Sequence, residues 1–204
     1  SSNTKLGIIG VALNGIPMFN PFENQDNESV KGRIFSGCCG HPEISGIYHY
    51  HKYPTCLKLN ANAWKSEKEK CDDIDALVES NQHSPLIGFA NDGFPIYGPV
   101  GKRNEESSTS SSTSIILRSS YTGPNDIHGN PTYISGSGDL DECNGLFSYT
   151  PEFENGIYHY VMTIESENNE GLTVLRAVNP YFGYDIRNIL SKHTKMPANW
   201  FNND

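Results

Sequence analysis

The strongest constraint on this chain is a pair of motifs that occurs twice. Ala12-Leu13-Asn14-Gly15-Ile16-Pro17-Met18-Phe19-Asn20-Pro21 and Ala90-Asn91-Asp92-Gly93-Phe94-Pro95-Ile96-Tyr97-Gly98-Pro99 share the frame Ala-x-(Asn/Asp)-Gly-x-Pro-x-aromatic-x-Pro. Each is followed downstream by Gly-Ile-Tyr-His-Tyr, at residues 46–50 and 156–160. Asn-Gly and Asp-Gly between apolar runs signal tight hairpins. The turn motifs lie 78 positions apart and the Tyr-His-Tyr segments 110, so the second copy is 32 residues longer. A Ser/Thr-rich loop at 105–114 and the polar stretch 121–126 account for about half of the excess. Such a repeat predicts two similar halves packed about a pseudo-twofold axis. It leads to the expectation that the two Tyr-His-Tyr strands lie side by side at the centre.

The expected architecture is mainly β: a single domain over 6–184 built from an internal duplication, a β-sandwich or barrel-like fold with one inserted helix. Its pseudo-repeats are expected at about 6–59 and 85–165. Gly (19) and Pro (12) are plentiful and hydrophobic residues make up 36%, which favours short strands joined by turns. Residues 60–80, with Ala61, Ala63, Trp64, Glu67, Lys68 and Leu77, are rich in helix formers and predict a helical insertion. Residues 185–204 are expected to form a C-terminal tail.

A net charge of −9 disfavours nucleic acid as a partner. No run of about 18 apolar residues is present, so no helical membrane span is expected. There is no P-loop, dinucleotide fingerprint or serine-hydrolase signature. The five cysteines, Cys38, Cys39, Cys56, Cys71 and Cys143, form no CxxC. Their scatter fits disulfides made in an oxidising compartment, with one thiol left over. Asn27-Glu28-Ser29 is a glycosylation sequon. The start at Ser1-Ser2-Asn3-Thr4-Lys5 is compatible with a mature, exported chain.

The candidate chemistry lies in Tyr48-His49-Tyr50-His51. Strand side chains alternate between faces, so His49 and His51 share one face and Tyr48 and Tyr50 the other. Neutral imidazoles on a rigid strand chelate copper or zinc well. His159 from the second copy, where Val161 replaces a second histidine, completes an expected three-histidine set, with His41 as a further ligand. The competing reading is structural, with the histidines and tyrosines hydrogen-bonded in a core. Asn14 and Asp92 are expected to serve turn chemistry, and His83, His128 and His193 are expected at the surface. Asp139–Gly145 is an acidic turn, but Thr150 stands where a calcium loop of the EF-hand type needs a bidentate Glu.

These motifs resemble the YHYH-domain family. The residues carrying the resemblance are Cys39-Gly40-His41-Pro42, Gly46 through His51, Pro54-Thr55-Cys56, Pro85 through Pro99, Leu140 through Gly145, Tyr158-His159-Tyr160 and Pro180-Tyr181-Phe182-Gly183. They run in order from about residue 11 to 184, and the segments 60–80 and 105–114 look like insertions. The resemblance implies an exported protein, secreted or extracellular, or periplasmic in a bacterium; it implies no established activity. Three functions follow: a secreted copper- or zinc-binding protein, a metal-dependent enzyme with an open coordination position, or a structural protein that forms homo-oligomers or filaments.

Overall fold

The computed structural model describes residues 7–19, 36, 38, 40–51, 53, 54, 57, 76–103, 113–122, 132–167 and 172–176. Its strands are β1 (Ile8–Ala12), β2 (Pro17–Phe19), β3 (Gly40–Pro42), β4 (Tyr48–Tyr50), β5 (Leu86–Ala90), β6 (Pro95–Tyr97), β7 (Val100–Gly101), β8 (Ile115–Ile116), β9 (Tyr121–Thr122), β10 (Thr132–Tyr133), β11 (Gly145–Thr150), β12 (Phe153–Val161), β13 (Thr163–Glu167) and β14 (Leu172–Arg176). The chain folds as a mainly β, sandwich-like single domain. Of the predicted helix at 60–80, residues 76–79 are helical and 60–75 lie outside the described residues. So do the Asn27 sequon, most of the Ser/Thr-rich loop and the tail from 185.

The two turn motifs close matching hairpins. In the first, the Ala12 N–H donates to Ile16 O at 2.9 Å and the Gly15 N–H to Ala12 O at 2.8 Å; in the second, Ala90 donates to Phe94 O and Gly93 to Ala90 O, both at 2.9 Å. Both glycines sit at positive φ, 81° and 88°, which closes a three-residue loop at no steric cost. The side chain before each glycine braces its turn: Asn14 Oδ1 accepts the Ile16 N–H and Asp92 Oδ1 the Phe94 N–H, both at 3.2 Å.

The hairpins meet back to back. β1 and β5 pair antiparallel with Gly10 opposite Ala90, Val11 opposite Phe89 and Ala12 opposite Gly88. This register is symmetric about the Val11–Phe89 pair. The eight-stranded sheet runs β11-β12-β6-β5-β1-β2-β4-β3, and the pairing on one side repeats on the other. Met18 of β2 lies parallel beside Tyr50 of β4, and Ile96 of β6 beside Tyr160 of β12. Gly40 of β3 pairs antiparallel with Tyr50, and Gly145 of β11 with Tyr160.

The expectation of adjacent central Tyr-His-Tyr strands is therefore wrong. β4 and β12 are each second from opposite edges, with β6, β5, β1 and β2 between them. At about 4.8 Å per strand step they are roughly 24 Å apart. The reason lies in the pairing: the first strand of each hairpin lies on the pseudo-twofold, and the Tyr-His-Tyr strands add outside the second.

The tyrosine face of this sheet carries the main core. Tyr50, Tyr158 and Tyr160 join Met18, Ile87 and Ile96 in one buried cluster. Two of the tyrosine hydroxyls on the two strands find partners in the repeated turns and a third in the acidic turn. Asn14 Nδ2 donates to Tyr50 Oη at 3.0 Å, Tyr160 donates to Asp92 Oδ2, and Tyr158 donates to the Asp141 carboxylate at 3.0 Å. Tyr48 is hydrogen-bonded to Ser36. The tyrosines are thus packing residues with satisfied hydroxyls.

Candidate metal centre

The opposite face of β3 and β4 carries the histidines. A further hairpin sets this up: the Glu43 N–H donates to Ile47 O at 3.0 Å and the Gly46 N–H to Glu43 O at 2.9 Å, with Gly46 at φ 89°. That loop fixes His41 directly across from His49. A slip of one residue would send His41 to the tyrosine face. Alternation puts His51, just past the end of β4, on the same side as His49. His41, His49 and His51 are 7%, 2% and 3% exposed, and their ligand nitrogens all lie within 4.8 Å of one another. The rings stand 4.6 Å (His41–His49), 5.1 Å (His41–His51) and 4.6 Å (His49–His51) apart between centroids.

Hydrogen bonding sets the protonation pattern. His49 Nδ1 lies 3.0 Å from Ile47 O. A carbonyl only accepts, so Nδ1 carries the proton and the Nε2 lone pair faces the cluster. His49 Nε2 is 2.9 Å from His51 Nε2, a separation that either one N–H bridge or two nitrogens on a common ion produces. Phe19 of β2 stacks on His49 at 4.1 Å and 26° and meets His51 edge-on at 5.9 Å, so the cluster has an apolar wall. Among the described residues the group consists of histidines alone. The donor set is therefore neutral nitrogen, which suits copper or zinc and not calcium or magnesium.

His159 does not join this cluster. On β12 it repeats the geometry of His49, with Nδ1 3.0 Å from Ile157 O, but it belongs to the far flank of the sheet. Its neighbours there are Tyr97 at 5.1 Å and His83 at 5.9 Å between ring centroids. Where β3 and β4 supply His41 and His51, the matching positions in the second half are Leu146 and Val161, which pack with Leu117 and Leu140 in a second apolar cluster. His41, given second place from the sequence, is thus a full member of the cluster, and His159 lies outside it. His83 is no surface residue either: its Nε2 is buried, and burial pushes its pKa down. His128 and His193 lie outside the described residues.

Asp92 holds the role its turn requires; burial pushes its pKa up, opposed by the bonds from Tyr160 and the Phe94 N–H. The acidic turn also has a structural role. Asp141 N–H donates to Gly145 O at 2.9 Å just as Ser36 N–H does to Gly40 O, and Asp141 Oδ1 accepts from Cys143 N–H at 2.9 Å as Ser36 Oγ does from Cys38 N–H at 3.3 Å. The turn is the second-half counterpart of the Ser36–Gly40 turn, an equivalence hidden in sequence because only Cys38/Cys143 and Gly40/Gly145 are shared. Cys38 is disulfide-bonded, to a partner outside the described residues; Cys143 is a buried thiol that forms no disulfide.

The sequence profile of the YHYH protein family matches residues 1–170. The chain belongs to the YHYH protein family. Comparison with curated proteins and with solved structures finds no match. In this YHYH protein the four residues Tyr48-His49-Tyr50-His51 divide their labour by face: tyrosines to the core, histidines to the cluster. Among the described residues no helix is long and apolar enough to cross a membrane.

Proposed function

We propose that this is an exported metal-binding protein whose centre is His41, His49 and His51, with copper or zinc as its ion. The observation that carries the reading is three buried imidazoles with their ligand atoms within 4.8 Å and no carboxylate in the set. Burying three imidazoles is a costly way to fill positions of which leucine and valine fill two in the second half. A shared cation offsets that desolvation cost. The apolar wall of Phe19 and the low exposure of all three rings favour holding an ion over turning over a substrate. The cleft of about 530 Å³ lined by Arg103, Asp139, Asp141 and Phe147 includes none of these histidines. Export is supported by the cysteine usage and the Cys38 disulfide.

The test is metal content. The purified protein, loaded separately with Zn(II) and with copper and then dialysed, is expected to retain about one ion per chain in this site, and His49→Gln to lose it. Wild type that retains none, or a variant that retains as much, sinks the proposal.

Self-association is a second reading, favoured by one observation. Val11 and Phe89 pair on the pseudo-twofold and are 46% and 40% exposed, with Ile8 and Leu13 exposed nearby. A nearly symmetric apolar patch at the middle of a sheet suits the same patch on a second copy.

A further inference from the structure

The second half of the sheet builds a different imidazole cluster. His159 is completely buried, and His83 reaches it from the segment before β5. That segment is clamped to β7: Ser84 N–H donates to Val100 O at 2.8 Å and Val100 N–H to Ser84 Oγ at 2.9 Å. Both rings are oriented by a backbone carbonyl. His83 Nδ1 lies 2.7 Å from Ser84 O, and His159 Nδ1 3.0 Å from Ile157 O. Each Nδ1 therefore carries the proton, and each Nε2 presents a lone pair. Both Nε2 atoms are buried and neither has a hydrogen-bond partner in the protein. Two buried acceptors with no donor are costly; a cation or a bridging donor would satisfy both.

The surroundings favour a cation. Tyr97 stands edge-on to both rings, 5.0 Å from His83 and 5.1 Å from His159. Its hydroxyl donates to the Glu152 carboxylate at 2.7 Å and accepts from the Thr150 hydroxyl at 2.9 Å. Glu152 acts electrostatically on His83, favouring positive charge there, and outweighs the opposing charge of Lys102. Burial keeps both imidazoles neutral, with His159 pushed down to about 3, so the positive charge is not supplied by protons near neutral pH. Two imidazoles joined through one ion at about 2 Å from each nitrogen have centroids about 6.3 Å apart when the two bonds are in line; the observed 5.9 Å fits a bridge somewhat bent at the ion. Gly101 leaves room between Leu117 and His83: a Cβ there would sit 2.8 Å from Leu117 Cδ1 and 3.1 Å from His83 Nε2.

From this geometry we infer that His83 and His159 form a second metal site, separate from the three-histidine centre, that takes a soft monovalent cation of low coordination number, Cu(I), through their two Nε2 atoms. Two neutral nitrogen donors are too few for zinc, which takes four ligands. A single positive charge is matched by Glu152 at the rim. Binding here involves no redox step. The ion enters as Cu(I), and no proton leaves, because both Nε2 atoms are already unprotonated.

The test uses the full chain, labelled with ¹⁵N and titrated without oxygen with Cu(I) supplied as its acetonitrile complex. Long-range ¹H–¹⁵N spectra resolve each imidazole nitrogen. In wild type, His159 Nε2 is expected to move from the position of an unliganded lone-pair nitrogen to that of a metal-bound one. His41→Leu, which removes a ligand of the first site only, is expected to keep that shift. His83→Gln is expected to abolish it while His49 still responds. Should His83→Gln fail to fold, Gly101→Ala crowds the ion's position from outside and is expected to weaken the His159 response roughly tenfold. A His159 signal that ignores Cu(I), or that shifts equally in a folded His83→Gln or Gly101→Ala protein, overturns the inference and leaves a bridging water as the donor. Failure at the first site reads out separately, as a His49 signal that does not move.

Discussion

Replacing His41 with leucine separates the metal centre from the fold, because the protein already contains the control. The second-half counterpart of His41 is Leu146, and both side chains are 7% exposed in matching cross-strand positions, His41 opposite His49 and Leu146 opposite His159. The backbone at this position therefore accepts leucine. His41→Leu is expected to leave the metal-free protein within about 1.5 kcal/mol of wild type, since it exchanges a desolvated imidazole for apolar bulk of similar size. The metal response should differ sharply. At free metal about 100 times its dissociation constant, wild type gains about 2.7 kcal/mol, equivalent to roughly 5–11 °C in Tm for a chain of this size. If losing one of three imidazoles weakens binding about 100-fold, the same metal stabilises the variant by only about 0.4 kcal/mol. Chemical denaturation with and without Zn(II) measures both quantities. An undiminished metal response in a folded His41→Leu protein would refute the assignment of the site.

Further outcomes follow from the turns and the sheet. Asp92→Asn copies the first-half arrangement, in which Asn14 bonds both Ile16 N–H and Tyr50 Oη. The folded-state pKa of Asp92 is raised, so wild type loses stability as pH rises from the unfolded carboxyl value through the folded one. The variant's stability relative to wild type should therefore be higher at pH 8 than at pH 4 in paired melts; the opposite order would contradict the raised pKa. Gly46→Val places a β-branched residue at φ 89° with nothing within 4 Å to clash, so its cost is purely backbone strain, about 1–2 kcal/mol. It should also weaken metal binding, because that loop holds His41 across from His49; unchanged stability would mean the loop does not need glycine. Val11→Lys charges the exposed patch, and sedimentation should show a monomer where wild type self-associates; monomeric wild type would remove that reading.

How much of this was legible in the sequence depends on the range of each interaction. The shared face of His49 and His51 follows from strand periodicity alone, and so does the tyrosine face behind them. The hairpins at Asn14-Gly15 and Asp92-Gly93 follow from turn chemistry. Gly46 carries the same kind of signal, and reading Glu43–Ile47 as a hairpin would have placed His41 opposite His49. Sheet order was not legible. It depends on parallel pairs, β2 with β4 and β6 with β12, whose connections carry no local signature. The repeated motifs suggest a twofold arrangement, but the position of the axis decides which elements meet. It passes between Val11 and Phe89, so His159 is far from its counterpart. His83 is expected at the surface from sequence because its burial comes from long-range contacts with Tyr97 and His159, which no periodicity encodes.

The most direct test of the central claim is metal-edge anomalous diffraction from crystals of the metal-loaded protein. The account predicts a peak enclosed by His41, His49 and His51, about 2 Å from three imidazole nitrogens. An anomalous map with no peak among these three histidines would contradict it.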